Sequence, residues 1–276
     1  MRVRQGGLYL TMKRALSVDN REYIHIAVVI PVYNHGGALD YVLDQLAPYN
    51  LPCLLVDDGS DESCQRVIES ATKTRDWVTS IRLSNNQGKG AAVSAGLMKL
   101  ELQGDVTHVM QIDADGQHNL DDIPAFLDAV EKNPDALILG QAKYDETVPK
   151  ARLYGRYITH AWVWIETLSF SVKDTMCGFR VYPLTLTNEV IRSSALGQRM
   201  AFDTEVVVRL FWRDVHVINI PTLVHYPYDG VSHFSALTDN LYISAMHSRL
   251  FFRMLLSLPR LLVKRCLKGV GFVSGK

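Results

Sequence analysis

The 276-residue chain has no run approaching ~20 consecutive apolar residues, so none of its segments reads as a bilayer-spanning helix. Cysteine is scarce, and no two of Cys53, Cys64, Cys177 and Cys266 have the spacing of a zinc knuckle or a redox pair. Cys53 and Cys177 sit in apolar segments and read as small buried hydrophobes, which suits a reducing compartment. No apolar h-region accompanies Arg2, Arg4, Lys13 and Arg14, so a signal peptide is not expected, and Met12 is an alternative start. Neither charge sign is in excess: Lys+Arg and Asp+Glu both total 29. A neutral chain lacks the phosphate-neutralising surplus of a general nucleic-acid binder. Repeats, low-complexity tracts and Pro/Gly linkers are also missing. With 47% hydrophobic and 21% charged residues, the chain reads as one globular domain with a variable second half.

One local absence is sharper. From Asn240 to Lys276 there is no Asp or Glu but seven Lys or Arg, which leaves the preceding residues at a net charge of −7. Leu250, Phe251, Phe252, Leu255 and Leu262 alternate there with Arg249, Arg253, Arg260, Lys264 and Lys268. Two readings stand: an interfacial helix drawn to anionic lipid, or a C-terminal helix packing an apolar stripe on the domain. Pro259 is expected to bend or divide it.

Short β-branched runs alternate with helical patterns through the first half. Strands are predicted at Ile26–Pro31, Pro52–Val56, Val78–Leu83, Thr107–Ile112 and Ala136–Gly140, and helices at Ala38–Leu46, Glu62–Lys73, Gly88–Leu102 and Leu120–Lys132. Helices at Lys150–Phe170 and Phe202–Trp212 and a strand at His216–Ile220 follow. This order predicts an α/β fold with an open, mostly parallel sheet, whose ligands bind beyond the C-terminal strand ends.

Polar clusters follow three of those strands: Pro31-Val32-Tyr33-Asn34, Asp57-Asp58-Gly59-Ser60-Asp61 and Asp113-Ala114-Asp115-Gly116-Gln117-His118. Asp61 is most simply a helix N-cap, and Asp57 or Asp58 can shape the turn at Gly59. Asp113, Asp115 and Gln117 alternate, so in an extended segment their oxygens converge, and hard oxygen ligands suit Mg²⁺ or Mn²⁺. His118 is an extra candidate ligand or a local hydrogen-bonding group. Asn86-Gln87-Gly88-Lys89-Gly90 opens a helix, where Lys89 suits an anion, but P-loop spacing is missing.

In combination, Ile30-Pro31-Val32-Tyr33-Asn34, Val56-Asp57-Asp58-Gly59-Ser60-Asp61, Asn86-Gln87-Gly88-Lys89-Gly90 and Asp113-Ala114-Asp115-Gly116-Gln117-His118 resemble family 2 glycosyltransferases of the GT-A fold. Asp174-Thr175-Met176-Cys177-Gly178-Phe179-Arg180 and Phe202-Asp203-Thr204-Glu205 look most like the polyprenyl- and dolichyl-phosphate hexosyl synthases. The resemblance spans about residues 24–235, with 1–23 an extension and 236–276 a basic amphipathic helical tail.

The resemblance implies an inverting, metal-dependent hexosyl transfer from a nucleotide-sugar, UDP-linked by expectation, to a lipid-type acceptor such as polyprenyl phosphate. Pro31, Tyr33, Asn34, Asp58, Lys89, Asp113, Ala114 and His233 match donor-binding positions. Asp113, Asp115 and Gln117 match metal-side positions. Asp203, Asp115 and Arg180 are the catalytic candidates, and Arg152 and Arg156 lie where relatives hold the acceptor phosphate. For a hydroxyl acceptor Asp203 is the candidate base; a lipid phosphate is already anionic and needs none. The plain alternative for Asp203 is a carboxylate stabilised by a helix N-terminus. Tyr226–Phe234, with His225 and His233, looks like a closing loop. Tyr154, Tyr157, Trp162, Trp164 and Phe170 line an acceptor groove or pack in the core.

No Gln-x-x-Arg-Trp motif is present, which disfavours a processive polysaccharide synthase. The expected location is cytoplasmic, peripheral on the inner face of the membrane through residues 240–276, without nucleic-acid partners. Two rivals remain: a sugar nucleotidyltransferase, disfavoured because no Gly-rich pyrophosphate loop follows the first strand, and a non-catalytic membrane-surface module.

Overall fold

The computed structural model describes residues 24–144, 150–224 and 236–271; for residues 144, 150–154, 236–239, 260 and 263–271 only the backbone is described. Seven strands form one sheet in the order β3-β2-β1-β4-β6-β5-β7. They are β1 (Ile26–Val32), β2 (Cys53–Asp57), β3 (Val78–Arg82), β4 (His108–Gln111), β5 (Leu137–Tyr144), β6 (Arg180–Pro183) and β7 (Val217–Val224). The helices are α1 (Gly36–Leu46), α2 (Glu62–Thr74), α3 (Lys89–Gln103), α4 (Ile123–Lys132), α5 (Lys150–Thr167), α6 (Leu184–Ser193), α7 (Ala201–Trp212) and α8 (Ala236–Gly271).

All pairs are parallel except those of β6, which runs antiparallel to both β4 and β5. Neither β6 nor α6 is predicted from the sequence. Pro183 ends a four-residue strand there, and Arg180 occupies a position where apolar periodicity asks for a hydrophobe.

The central strands are apolar on both faces because both faces are covered. On one side Val28, Ile30 and Val32 of β1 pack with Leu39, Leu43, Ile68 and Phe126 from α1, α2 and α4. On the other, Ala27 and Val29 meet Val93, Leu97 and Val206 from α3 and α7. The period-two alternation of one strand thus feeds two cores. α2 is capped as expected: Asp61 Oδ1 accepts the Cys64 N–H at 2.9 Å.

α8 packs on α5 and α7 through Met246, Leu250 and Met254. Pro259 lies inside it without dividing it. Proline removes one helical hydrogen bond, and this one sits on an exposed side of the helix. Among the described residues no helix is long and apolar enough to cross a membrane.

Candidate functional site

Parallel pairing brings the ends of β1, β2 and β4 to one edge of the sheet, where α3 and α7 also begin. Two of these ends are bolted together. Asn34, in the left-handed region at φ 56°, donates its N–H to Ser60 Oγ at 3.1 Å, and its Oδ1 accepts the Asp61 N–H at 2.9 Å. Asp57 pairs with Arg82 and accepts the Ser60 N–H at 2.8 Å. Pro31 and Tyr33 are half-buried beside this junction.

Asp58 is buried and spends both oxygens on the Gly-rich loop: Oδ1 accepts the Gln87 N–H at 2.7 Å and Oδ2 the Gly88 N–H at 2.8 Å. Burial pushes its carboxyl above the usual range against the pull of those two amides. As placed, Asp58 holds the loop that launches α3 rather than presenting its oxygens outward. Gly88 is required there, since its φ of 102° and its closeness to the Gln198 carbonyl leave no room for a side chain.

Lys89, one residue on, is the electrostatic centre. Its Nζ lies 2.8 Å from Asp113 Oδ1 and 3.0 Å from Asp203 Oδ2, so one ammonium joins the end of β4 to the first turn of α7. Burial alone would favour neutral lysine, but the two carboxylates overcome it and hold the ammonium well above its ordinary range. Burial likewise acts to raise the Asp113 carboxyl, yet Lys89 and His118 hold it far below the carboxylate range. His118 Nε2 lies 3.5 Å from Asp113 Oδ2.

The segment carrying Asp113, Asp115 and Gln117 is not extended, so the expected alternation does not apply. Ala114 and Asp115 form a turn, with Gly116 at φ 71°. Asp113 therefore points to Lys89, the half-buried Asp115 accepts the Gln117 N–H through Oδ1 at 3.1 Å, and Ala114 is buried between them. Among the described residues no three His, Cys, Asp or Glu side chains form a ready ligand set. Asp113 Oδ1 is buried with no directional hydrogen bond. Asp113 and Asp115 are both hard oxygen donors of the kind that suits a divalent ion completed by phosphate oxygens of a ligand, with Asp113 holding the Lys89 ammonium in the described arrangement.

Asp203 is buried; Gln111 Nε2 donates to its Oδ1 at 3.4 Å, and Tyr182 Oη donates to Gln111 Oε1 at 2.9 Å. Arg180 is fully buried. Its donors go to the carbonyls of Cys177 at 3.1 Å, Thr175 at 3.1 Å and Asp203 at 2.9 Å, and Nη2 lies 3.7 Å from Asp203 Oδ1. This guanidinium stitches residues 175–177 to the start of α7 through main-chain carbonyls. Arg156 pairs with buried Asp174 at 3.0 Å; Asp174 also accepts the Met176 and Cys177 N–H groups at 2.8 and 3.1 Å. The Arg152 side chain, His225, His233 and the 226–234 loop lie outside the described residues. Of the aromatic set, Trp164 Nε1 donates to the Val172 carbonyl at 2.9 Å, whereas Tyr157 and Phe170 are exposed.

Sequence reasoning passes over Gln111, Tyr182 and Gly178. A fully buried glutamine at a strand end is itself a signal. So is a glycine beside Asp113 between two buried apolar residues.

The chain matches the model of "Glycosyl transferase family 2" over residues 27–198 and belongs to that family. It is 23% identical over 217 residues to a dolichyl-phosphate beta-glucosyltransferase of Trichomonas vaginalis, covering 72% of this chain and 63% of that protein. It is 28% identical over 203 residues to the undecaprenyl-phosphate 4-deoxy-4-formamido-L-arabinose transferase of Pseudomonas fluorescens, covering 71% and 56%. The chain thus spans about three-fifths of the length of these relatives. Glucosyl-3-phosphoglycerate synthase of Mycobacterium tuberculosis, solved with Mn²⁺, UDP-glucose and glycerol 3-phosphate, superposes with a TM-score of 0.57 at 16% identity, covering 93% of this chain and 86% of that one. The fold is the GT-A fold expected from the strand-end motifs.

Proposed function

We propose that the protein transfers a hexose from a nucleoside-diphosphate sugar, UDP-linked by preference, to a polyprenyl-phosphate type of lipid acceptor at a membrane surface, with inversion at the anomeric carbon. The observation that carries this reading is Lys89 clamped between Asp113 and Asp203 at the sheet edge where the parallel strands end. The sugar classes and lipid phosphates named for the relatives support the acceptor class.

The residues act as follows. Asn34 and Asp58 fix the strand ends and the Gly-rich loop, so Pro31, Tyr33 and the α3 N-terminus form a rigid floor for the nucleotide. Lys89 holds a positive charge near the diphosphate, stabilising the leaving group as it departs. Asp113 and Asp115, with Gln117 alongside, would hold Mg²⁺ or Mn²⁺, which when bound neutralises diphosphate charge. Arg156, and Arg152 on the same helix, position the acceptor phosphate.

Asp203 decides between acceptors. Its carboxylate oxygens are occupied by Lys89, by Gln111 and, more distantly, by Arg180, so neither is free to face an acceptor hydroxyl. That favours an anionic phosphate acceptor over a hydroxyl needing deprotonation. The test is incubation of the full chain with UDP-sugars, Mn²⁺ and a polyprenyl phosphate. Expected products are UDP and a glycosylated lipid seen by mass spectrometry. Pyrophosphate release would indicate a nucleotidyltransferase, and the absence of turnover with any donor would overturn the reading.

A further inference from the structure

We infer that the outward faces of α5 and α8 together form a docking surface for an anionic lipid bilayer. The inference rests on the lipid-acceptor reading and goes beyond it by placing the contact on two helices.

α8 is apolar on two opposite sides. Its inner stripe, Met246, Leu250 and Met254, is buried on the domain, and His247 Nδ1 lies 2.8 Å from Glu166 Oε1 of α5. The outer side carries Leu241, Phe252, Leu255 and Leu262, spaced eleven, three and seven residues apart. At ~100° per residue these return to one side of a helix. Phe252 is 65% exposed and the adjacent Leu256 85%. A surface helix ordinarily turns charge toward water there.

α5 extends this side. Ile158, Trp162 and Ile165, four and three residues apart, are exposed on its outward face. Trp162 stacks on His247 at 6.0 Å and meets Phe251 edge-on at 5.9 Å; Phe251 meets Phe252 at 5.9 Å. The two helices therefore share one aromatic seam, and the outward face is continuous across it.

Charge selects the occupant. Arg253 is exposed beside the outer apolar stripe, Arg249 one turn before it pairs with buried Glu205 of α7 at 3.2 Å, and no acidic residue occurs from Asn240 to Lys276. An apolar face flanked by an exposed arginine, on a segment without acidic residues, matches acyl chains beneath anionic headgroups.

The experiment is co-sedimentation of the full chain with phosphatidylcholine vesicles, with and without phosphatidylglycerol, at low and high salt. The parent protein should pellet with the phosphatidylglycerol vesicles and lose partition as salt rises. Leu256→Glu and Ile165→Glu, both at exposed positions, should each weaken partition at least about tenfold, while UDP-sugar with Mn²⁺ shifts the melting temperature as in the parent. Arg253→Glu should remove the preference for phosphatidylglycerol. Parent-like partition of both apolar variants overturns the inference. Loss in Leu256→Glu alone overturns the share given to α5. A dimer in solution that ignores vesicles and dissociates on Leu256→Glu makes a second copy the occupant. If vesicle binding follows expectation but no nucleotide-sugar shifts the melting temperature, the catalytic reading falls and the docking surface stands.

Discussion

Gly178 backs so closely onto Asp113 that a Cβ at residue 178 would overlap the Asp113 carboxylate. The glycine has no left-handed backbone to explain it, so the requirement is purely one of space. Gly178→Ala should push Asp113 away from Lys89. Overpacking of this kind costs roughly 1–3 kcal/mol, and displacing a site group by about an ångström costs on the order of 100-fold in kcat/KM. Steady-state kinetics beside urea unfolding separate the two effects; a fully active variant would show that the Asp113 position is not critical.

Lys89 is the cation shared by buried Asp203 and half-buried Asp113. Lys89→Met should strip Asp113 and Asp203 of their shared cation, leaving Asp113 with His118 and Asp203 with Gln111 and Arg180; removing one partner of a buried pair typically costs about 3–5 kcal/mol. Mn²⁺ should recover part of that loss, because a divalent ion can take over the compensation. Calorimetry with Mn²⁺ and with EDTA reads both. A variant as stable as the parent would mean that the ammonium is dispensable.

The first half of the fold was legible because each central strand is a short apolar run that ends in polar residues. Cys53–Asp57 is buried at every position, and its neighbours alternate between two cores. The cluster at the strand ends was legible for the same reason: Asp58, Lys89 and Asp113 interrupt apolar patterns where the fold puts ligands. The partners of these residues were not legible. Asp58 closes on amides 29 and 30 residues away, and Lys89 meets Asp203 across most of the domain; no local pattern records such contacts. β6 stayed hidden because its buried Arg180 is satisfied by main-chain carbonyls that only the folded chain supplies. The turn at Asp113–Gln117 is not legible as strand alternation because Gly116, in the left-handed region, redirects the chain at Asp115.

Asp174 offers a pH test away from the Asp113 turn. Burial alone would raise its carboxyl, but His160, Arg156 and the Met176 amide hold it well below the carboxylate range. A group depressed in the folded state stabilises the fold above its unfolded value, about pH 4, and that contribution drains away as pH falls toward the folded value. Asp174→Asn should cost roughly 3–5 kcal/mol near neutrality, since it breaks the buried pair that Asp174 makes with Arg156. The gap between variant and parent should close in strong acid. Urea unfolding across that range measures it, and a gap independent of pH would deny the linkage.

Asp203→Asn tests the acceptor. An asparagine there can still accept from Gln111, and Lys89 keeps Asp113, so the architecture should survive. With a lipid phosphate as nucleophile, no proton has to be removed, and the rate should fall less than about tenfold. General-base catalysis contributes about 10²–10⁴-fold, so a loss of that size, with substrate affinity and melting temperature kept, would assign Asp203 the role of base on a hydroxyl. The two outcomes are far enough apart that single-turnover rates with saturating donor distinguish them.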